Sequence, residues 1–327
     1  MRKKKMALAK LPCCVVDIGS NSVRAVFYDV YSDGTWRALP KEEYKTLCKL
    51  GADIQKTGKL SVEGKDKARA VLAEFVKRAE ELGARIYAVG TAALRDATDG
   101  AEFCAEMKQK HGLEINVIDG DTEARLSALG VCSGFKKADG IVADQGGGSL
   151  DMARVKDGHV KENTYSFQLG NLRLKAMGDG ERARQIGEEL DTLDYRYIDP
   201  ENLYIVGGTF RAIGRACLAQ RDNKEDLHGL SFSPEKFMKL LDDFAGKTPE
   251  QIMKEYGIKV HDRAEQMRYA SELLQVMIDD LQPKQIVFSR TGLREGILAD
   301  RVVPMLMPEL KALEQNAPGQ KKGLGSP

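Results

Sequence analysis

The chain has 327 residues, of which 42% are hydrophobic and 30% charged, enough for two cores of an ordinary globular protein. Fifty Lys and Arg oppose 49 Asp and Glu, so the formal net charge of +1 offers no global field to nucleic acid or membrane, and any anion site must be local. No apolar run approaches the roughly 20 residues of a transmembrane helix, which excludes that kind of membrane protein.

The N-terminal MRKKKMALAK is basic without an h-region or cleavage site, and reads as a solvated tail. The six cysteines show no metal-ligand spacing and predict reduced thiols in a cytoplasmic protein. Cys13 and Cys14 enter a first strand that leads into VVDIGSNSVRAVFYDV, residues 15–30. This phrase is an apolar strand, an Asp, a Gly/Ser-rich turn and a second apolar strand. A third strand is expected over 44–49. Ala68, Leu72, Phe75, Ala79 and Leu82 then fall at helical spacing. A strand over 85–89 opens VGTAALRDATDG, where Arg95 follows a small-residue turn. A guanidinium there suits bidentate phosphate contact, or pairs at the surface with Asp96 or Asp99. A short helix over 101–110 and a strand over 114–118 lead to IDGDTEARLSALGV, residues 118–131. Here a helix starts near Asp121 or Thr122 and puts Glu123 in its first turn. On its own, a first-turn acid serves the helix dipole or caps free N–H groups.

The opening phrase then returns as IVADQGGGSLDMARV, residues 141–155. Strands follow over 164–167, over 203–206 ending in GGT, and over 285–288, with helices between them. The repeated order is three strands in a meander, helix, strand, helix, strand, which predicts two related α/β domains with a ligand cleft between them. The expected boundaries are 1–129, 130–302, and a short helix with a flexible tail over 303–327. Glycine lets successive N–H groups converge, and such clusters bind anions. Asp17 and Asp144, one before each turn, suit a metal ion or a water nucleophile.

DIGSNSVR, GTAALRDA, TEARLSALGV, DQGGGSLDM, IVGGTFRAIGR and TGLREGIL occur in this order over about residues 15–298. Together they resemble the exopolyphosphatase/guanosine pentaphosphate phosphatase (Ppx/GppA) family. The resemblance implies the duplicated ribonuclease-H-like fold of actin, sugar kinases and heat-shock chaperones. It also implies a hydrolase that removes terminal phosphates from inorganic polyphosphate, or the 5′-terminal phosphate from guanosine pentaphosphate. The implied cofactor is Mg²⁺, with Mn²⁺ as substitute, and a homodimer is admitted. Residue by residue, Glu123 matches the general base that activates water. Asp17, Asp144 and Asp151 match the metal-side carboxylates. Gly19, Ser20, Asn21 and Ser22 match the first phosphate loop. Gly146, Gly147, Gly148 and Ser149 match the second. Gly207, Gly208 and Thr209 resemble a third turn, and Arg95 matches the phosphate-binding arginine.

Three departures accompany the match. Gln145 stands where the family usually has an apolar residue, with its side chain expected to point away from phosphate. Asp151 stands where Glu is usual, one C–C bond or about 1.5 Å shorter. The chain also ends soon after the second domain, where longer relatives add a helical domain that helps hold long polyphosphate. This predicts distributive action, with short chains or nucleotides handled at least as well as long polymers. His261-Asp262, in a chain with four histidines, reads as coincidence rather than a metal motif. Two other classes remain: a kinase of the same superfamily, which would need an acceptor, and a sensor that binds phosphorylated guanosine nucleotides without turnover.

Overall fold

The structure, a computed structural model, describes residues 8–178, 180–220 and 226–316. The basic segment 1–7 and the tail 317–327 lie outside the described residues. The first half runs β1 (Lys10–Ile18), β2 (Val23–Tyr31), β3 (Trp36–Thr46), α1 (Ile54–Thr57), α2 (Val62–Glu81), β4 (Arg85–Gly90), α3 (Ala92–Asp96), α4 (Gly100–His111), β5 (Ile115–Val117) and α5 (Gly120–Gly134). The second runs β6 (Gly140–Gln145), β7 (Leu150–Lys156), β8 (His159–Phe167), α6 (Asn171–Ala176), α7 (Arg182–Leu190), β9 (Asn202–Gly207), α8 (Gly208–Gln220), β10 (Ser231–Phe232), α9 (Pro234–Ala245), α10 (Pro249–Tyr256), α11 (His261–Leu281), β11 (Gln285–Phe288), α12 (Leu293–Ile297) and α13 (Val303–Gln315).

The strands form two mixed sheets, ordered β3-β2-β1-β4-β5 and β10-β11-β9-β6-β7-β8. Without the two-residue β10, the second order repeats the first. The meander pairs are antiparallel, and β4 and β5 join β1 in parallel as β9 and β11 join β6. The repeat holds at single-residue register. Asp17 pairs with Arg24 across the first hairpin, and Asp144 with Asp151 across the second. Ile18 faces Gly90 and Gln145 faces Gly207 in the parallel pairs. Glu43 on the edge strand forms an ion pair with Arg24.

Each half covers the other's sheet. Ala124, Ala128 and Val131 of α5 bury against Val142, Ala153 and Val206 of the second sheet. Ile297, Leu306 and Leu310, around α12 and α13, bury against Cys13, Val15 and Val26 of the first. Each Val, Leu or Ile among them, fully buried, stabilises by about 1.5–3 kcal/mol, and each Ala by less. A boundary at 129 therefore cuts α5 in two, and α13 is a cover for the first sheet rather than an appendage. The two exchanged helices cross closely. A Cβ on Gly130 would lie 1.8 Å from the Gly292 carbonyl oxygen, and one on Gly296 1.8 Å from that of Leu126. This crossing accounts for the small residues in SALGV and TGLREG.

Among the described residues, none of the six cysteines is joined in a disulfide. No helix among the described residues is long and apolar enough to cross a membrane.

Candidate active site

Both glycine-rich turns close with the same bond: Gly19 N–H to Ser22 O at 3.1 Å, and Gly146 N–H to Ser149 O at 2.9 Å. The other turn carbonyls are drawn away to neighbouring segments. In the first turn, Ser20 O accepts from Gly51 N–H and Asn21 O from Lys49 N–H, both at 2.9 Å. In the second, Gly146 O accepts from Asn171 N–H at 3.1 Å, Gly147 O from Leu172 N–H at 2.9 Å, and Gly148 O from Arg173 Nε at 2.9 Å. A trans peptide points its N–H opposite its C=O. Holding these carbonyls outward therefore turns the N–H groups of Asn21, Ser22, Gly147, Gly148 and Ser149 the other way, into the concavity that suits an anion. The turns also touch each other. A Cβ on Gly148 would lie 2.6 Å from Ser20 Oγ and 2.7 Å from Ala92 Cβ.

Between the turns lies a cleft of about 940 Å³. Its walls include Asp17, Gly19, Ser20, Asn21, Ser22, Glu123, Asp144, Gly146, Gly147, Gly148, Ser149, Asp151, Gly207, Gly208 and Thr209. Every expected site residue except Arg95 is among them. Arg95 donates from Nε to Asp96 Oδ1 at 3.3 Å, and from Nη1 to Ile118 O at 3.1 Å and Glu123 Oε2 at 3.2 Å. Its guanidinium thus holds Glu123, where the sequence reading gave it to phosphate or to the surface. Glu123 itself is 7% exposed. The cap of α5 is supplied by Asp119, which accepts from Thr122 N–H at 2.7 Å, so Glu123 is spared that role.

Four carboxylates face the cleft, and each is raised above its ordinary pKa chiefly by burial. Burial, then the nearby Asp151 charge, pushes Glu123 well up against the opposing pull of Arg95. Burial likewise raises Asp151, although Ser166 Oγ and Ser149 Oγ donate to its two oxygens at 2.6 and 2.8 Å. Asp144 is raised by burial and steadied by Ser127 Oγ at 2.7 Å. Asp17 is raised by burial and lowered by Arg294, whose Nη1 lies 3.7 Å from its Oδ2. A patch that resists holding several negative charges fits a divalent cation. The cleft carboxylates do not form a preformed cage. Among the described residues, only His261, Asp262 and Glu265 bring three candidate ligand atoms within 4.8 Å of one another. Those three are already engaged, His261 with Glu250 at 3.0 Å, Asp262 with Lys49 at 2.5 Å and Glu265 with Lys175 at 2.6 Å.

The cations of the cleft were not anticipated from the sequence. Arg24, Lys45, Arg211, Arg263 and Arg294 also line the cleft, from five different elements. Burial, then Arg294 and Arg211, pushes Arg24 down to about 10. Arg211 falls to about 10 through burial and Arg294. Lys45 reaches solvent, yet desolvation and the charges of Arg263, Arg24 and Arg211 push its ammonium down to about 8. Cations that depress one another in this way gain from a polyanion between them. Arg24 was legible, because a four-residue turn sets it directly across from Asp17. Lys45 stands next to Arg24, paired with it across β2 and β3, and Arg211, Arg263 and Arg294 join through tertiary packing. Gln145 is 2% exposed, and its Nε2 donates to Leu169 O at 3.5 Å.

With this geometry in hand, the chain can be placed among known proteins. A model of the Ppx/GppA phosphatase family matches residues 39–303. The chain belongs to that family. Exopolyphosphatase 1 of Mycobacterium tuberculosis is 28% identical over 217 residues, 62% of this chain and 62% of that protein, so the chain spans about three fifths of that relative. Guanosine-5′-triphosphate,3′-diphosphate pyrophosphatase of Vibrio cholerae is 30% identical over 159 residues, 47% of this chain and 31% of the relative. The crystal structure of the Aquifex aeolicus Ppx/GppA family member superposes with a TM-score of 0.75 at 25% identity, covering 90% of this chain and 99% of that one.

Proposed function

We propose that this protein is a phosphatase that hydrolyses the terminal phosphoanhydride of inorganic polyphosphate or of guanosine pentaphosphate, with water as nucleophile and Glu123 as general base. One observation carries the reading. A buried carboxylate with a raised pKa, held by Arg95, shares a cleft with two outward-braced N–H turns and a wall of five cations. A base poised nearer neutrality takes a proton from attacking water more effectively than an ordinary carboxylate. The turns cradle phosphate oxygens, and the cations neutralise the chain behind the terminal group. Among the described residues no Cys or His lines the cleft, which favours direct attack by water over a phosphorylated intermediate on either.

Mg²⁺ or Mn²⁺ fits the acidic wall, with Asp144 and Asp151 as the residues that would hold it and Asp17 beside them. When bound, it neutralises charge on the phosphate oxygens, as such ions do when held by one or two carboxylates plus phosphate and water. The exchange of Glu for Asp at position 151 is matched by two hydroxyl donors, Ser149 and Ser166, which fix the shorter side chain.

A specific feature favours the nucleotide over the inorganic polymer. At the mouth, Asn21, Arg263 and Gln266 are shared with a second pocket of about 680 Å³, lined also by Leu47, Ile258 and Val260 and by the charged Lys49, Lys259 and Asp262. Leu47 is 44% exposed and Val260 51%. The three aliphatic side chains in this lining offer a base and ribose a contact that a bare phosphate chain would not use. The test is phosphate release from tripolyphosphate, long polyphosphate, guanosine pentaphosphate and ATP, each with and without Mg²⁺. Release from the pentaphosphate at the highest kcat/KM is expected. No metal-dependent release from any of them would overturn the proposal.

A further inference from the structure

A chain of charged side chains leads from Glu123 out of the cleft and back to the second phosphate turn. Arg95 Nη1 donates to Glu123 Oε2 at 3.2 Å, and Arg95 Nε to Asp96 Oδ1 at 3.3 Å. The other oxygen of Asp96, Oδ2, accepts from Arg173 Nη2 at 2.7 Å. Arg173 Nε donates in turn to the Gly148 carbonyl at 2.9 Å. Arg95, Asp96 and Arg173 keep only 21%, 23% and 19% of their side-chain surface. Asp96 ends α3 in the first half, whereas Arg173 lies on α6 in the second, so the link crosses between the two sheets.

We infer that Asp96 and Arg173 are positioning residues that lock the base to the phosphate turn. The inference rests on the hydrolytic reading above. Asp96 fixes Arg95, which fixes the Glu123 carboxylate. Arg173 fixes the Gly148–Ser149 peptide, so that the Ser149 N–H stays aimed into the cleft. Two ends of one reaction, the base behind the water and the donor on the phosphate oxygen, are thus set by a single shared carboxylate. Each arm of Arg173 leaves from a different nitrogen of one rigid plane. A lysine offers the same charge at a single point and cannot span both acceptors in that way.

The test uses Arg173→Lys, Arg173→Gln, Asp96→Asn and the double variant Asp96→Asn/Arg173→Gln, each checked for native circular dichroism at the assay temperature. A displacement of about 1 Å at a catalytic group lowers rate by up to about a hundredfold, so the single variants should lose about tenfold or more in kcat. Lysine should rescue neither kcat nor binding of tripolyphosphate. The double variant should fall no more than about twofold below the worse single one, because both break the same link. The inference is overturned if Arg173→Lys restores kcat, since a general cation would then suffice, or if the single losses multiply. Calorimetric binding of tripolyphosphate separates this inference from the functional reading. Should the wild type release no phosphate, unchanged tripolyphosphate affinity in Arg173→Gln would still overturn the inference, and weakened affinity would uphold its phosphate-turn half.

Discussion

Glu123 and Lys45 both line the cleft, and each is tuned by its surroundings in a way that titration can detect. Burial raises the Glu123 carboxyl above its ordinary value of 4.5. The folded state therefore holds that proton more firmly than the unfolded chain does. Ionising Glu123 costs stability as pH rises from about 4.5 toward the raised value, and the cost is complete above it. Glu123→Gln removes the cost. Its melting temperature near pH 7.5 should match or exceed that of the wild type, with the margin shrinking near pH 4.5. Calorimetry that shows the same deficit at both pH values would instead mark Glu123 as a structural prop. Lys45, pushed down to about 8, loses its charge as pH rises through that value. KM for tripolyphosphate should climb between about pH 7.5 and 9 in the wild type and stay flat in Lys45→Met. Parallel profiles for the two would remove Lys45 from the binding wall.

At the scale of elements, two kinds of glycine contact make opposite predictions. Gly296 lies where α12 crosses α5, and its Cβ would strike the Leu126 carbonyl. Gly296→Ala should cost about 1–3 kcal/mol or more by overpacking, read as a drop in denaturation midpoint. Gly148 sits at the cleft, facing Ser20 Oγ and Ala92. Gly148→Ala should separate the two turns and reduce kcat/KM strongly, with a smaller loss of stability. Equal damage to stability from both would show that the turn contact is packing alone.

The elements also explain what could be read in advance. The hairpins were legible because glycine turns follow apolar strands and end them sharply. Edge strands β3 and β8 begin at Trp36 and His159, ahead of the expected 44 and 164, because their partly exposed residues carry little apolar signal. The bracing of the second turn by α6 was hidden, since backbone N–H groups do most of it and they have no sequence signature. The cations were hidden for another reason: Lys45 meets Arg24 through the register of an edge strand with little apolar signal, and Arg211, Arg263 and Arg294 join them only through the packing of the second half against the first.

For the molecule as a whole, the acidic and basic walls need different partners. Burial disfavours the charges of both, and the cations also repel one another. A divalent ion that binds only the folded state should raise the melting temperature. Mg²⁺ should produce that shift in the wild type and not in Asp144→Asn, and excess chelator should abolish phosphate release until Mg²⁺ or Mn²⁺ is restored. Full turnover in chelator would remove the metal from the account.

The most direct test of the hydrolytic reading is the steady-state kinetics of Glu123→Gln beside the wild type, with guanosine pentaphosphate and tripolyphosphate as substrates. The substitution keeps the shape of the side chain and removes the base. The account predicts metal-dependent phosphate release by the wild type, and in the variant a kcat lower by at least about a hundredfold with KM nearly unchanged. Near-normal turnover by the variant would contradict it, because water in this cleft would then be activated by a different group.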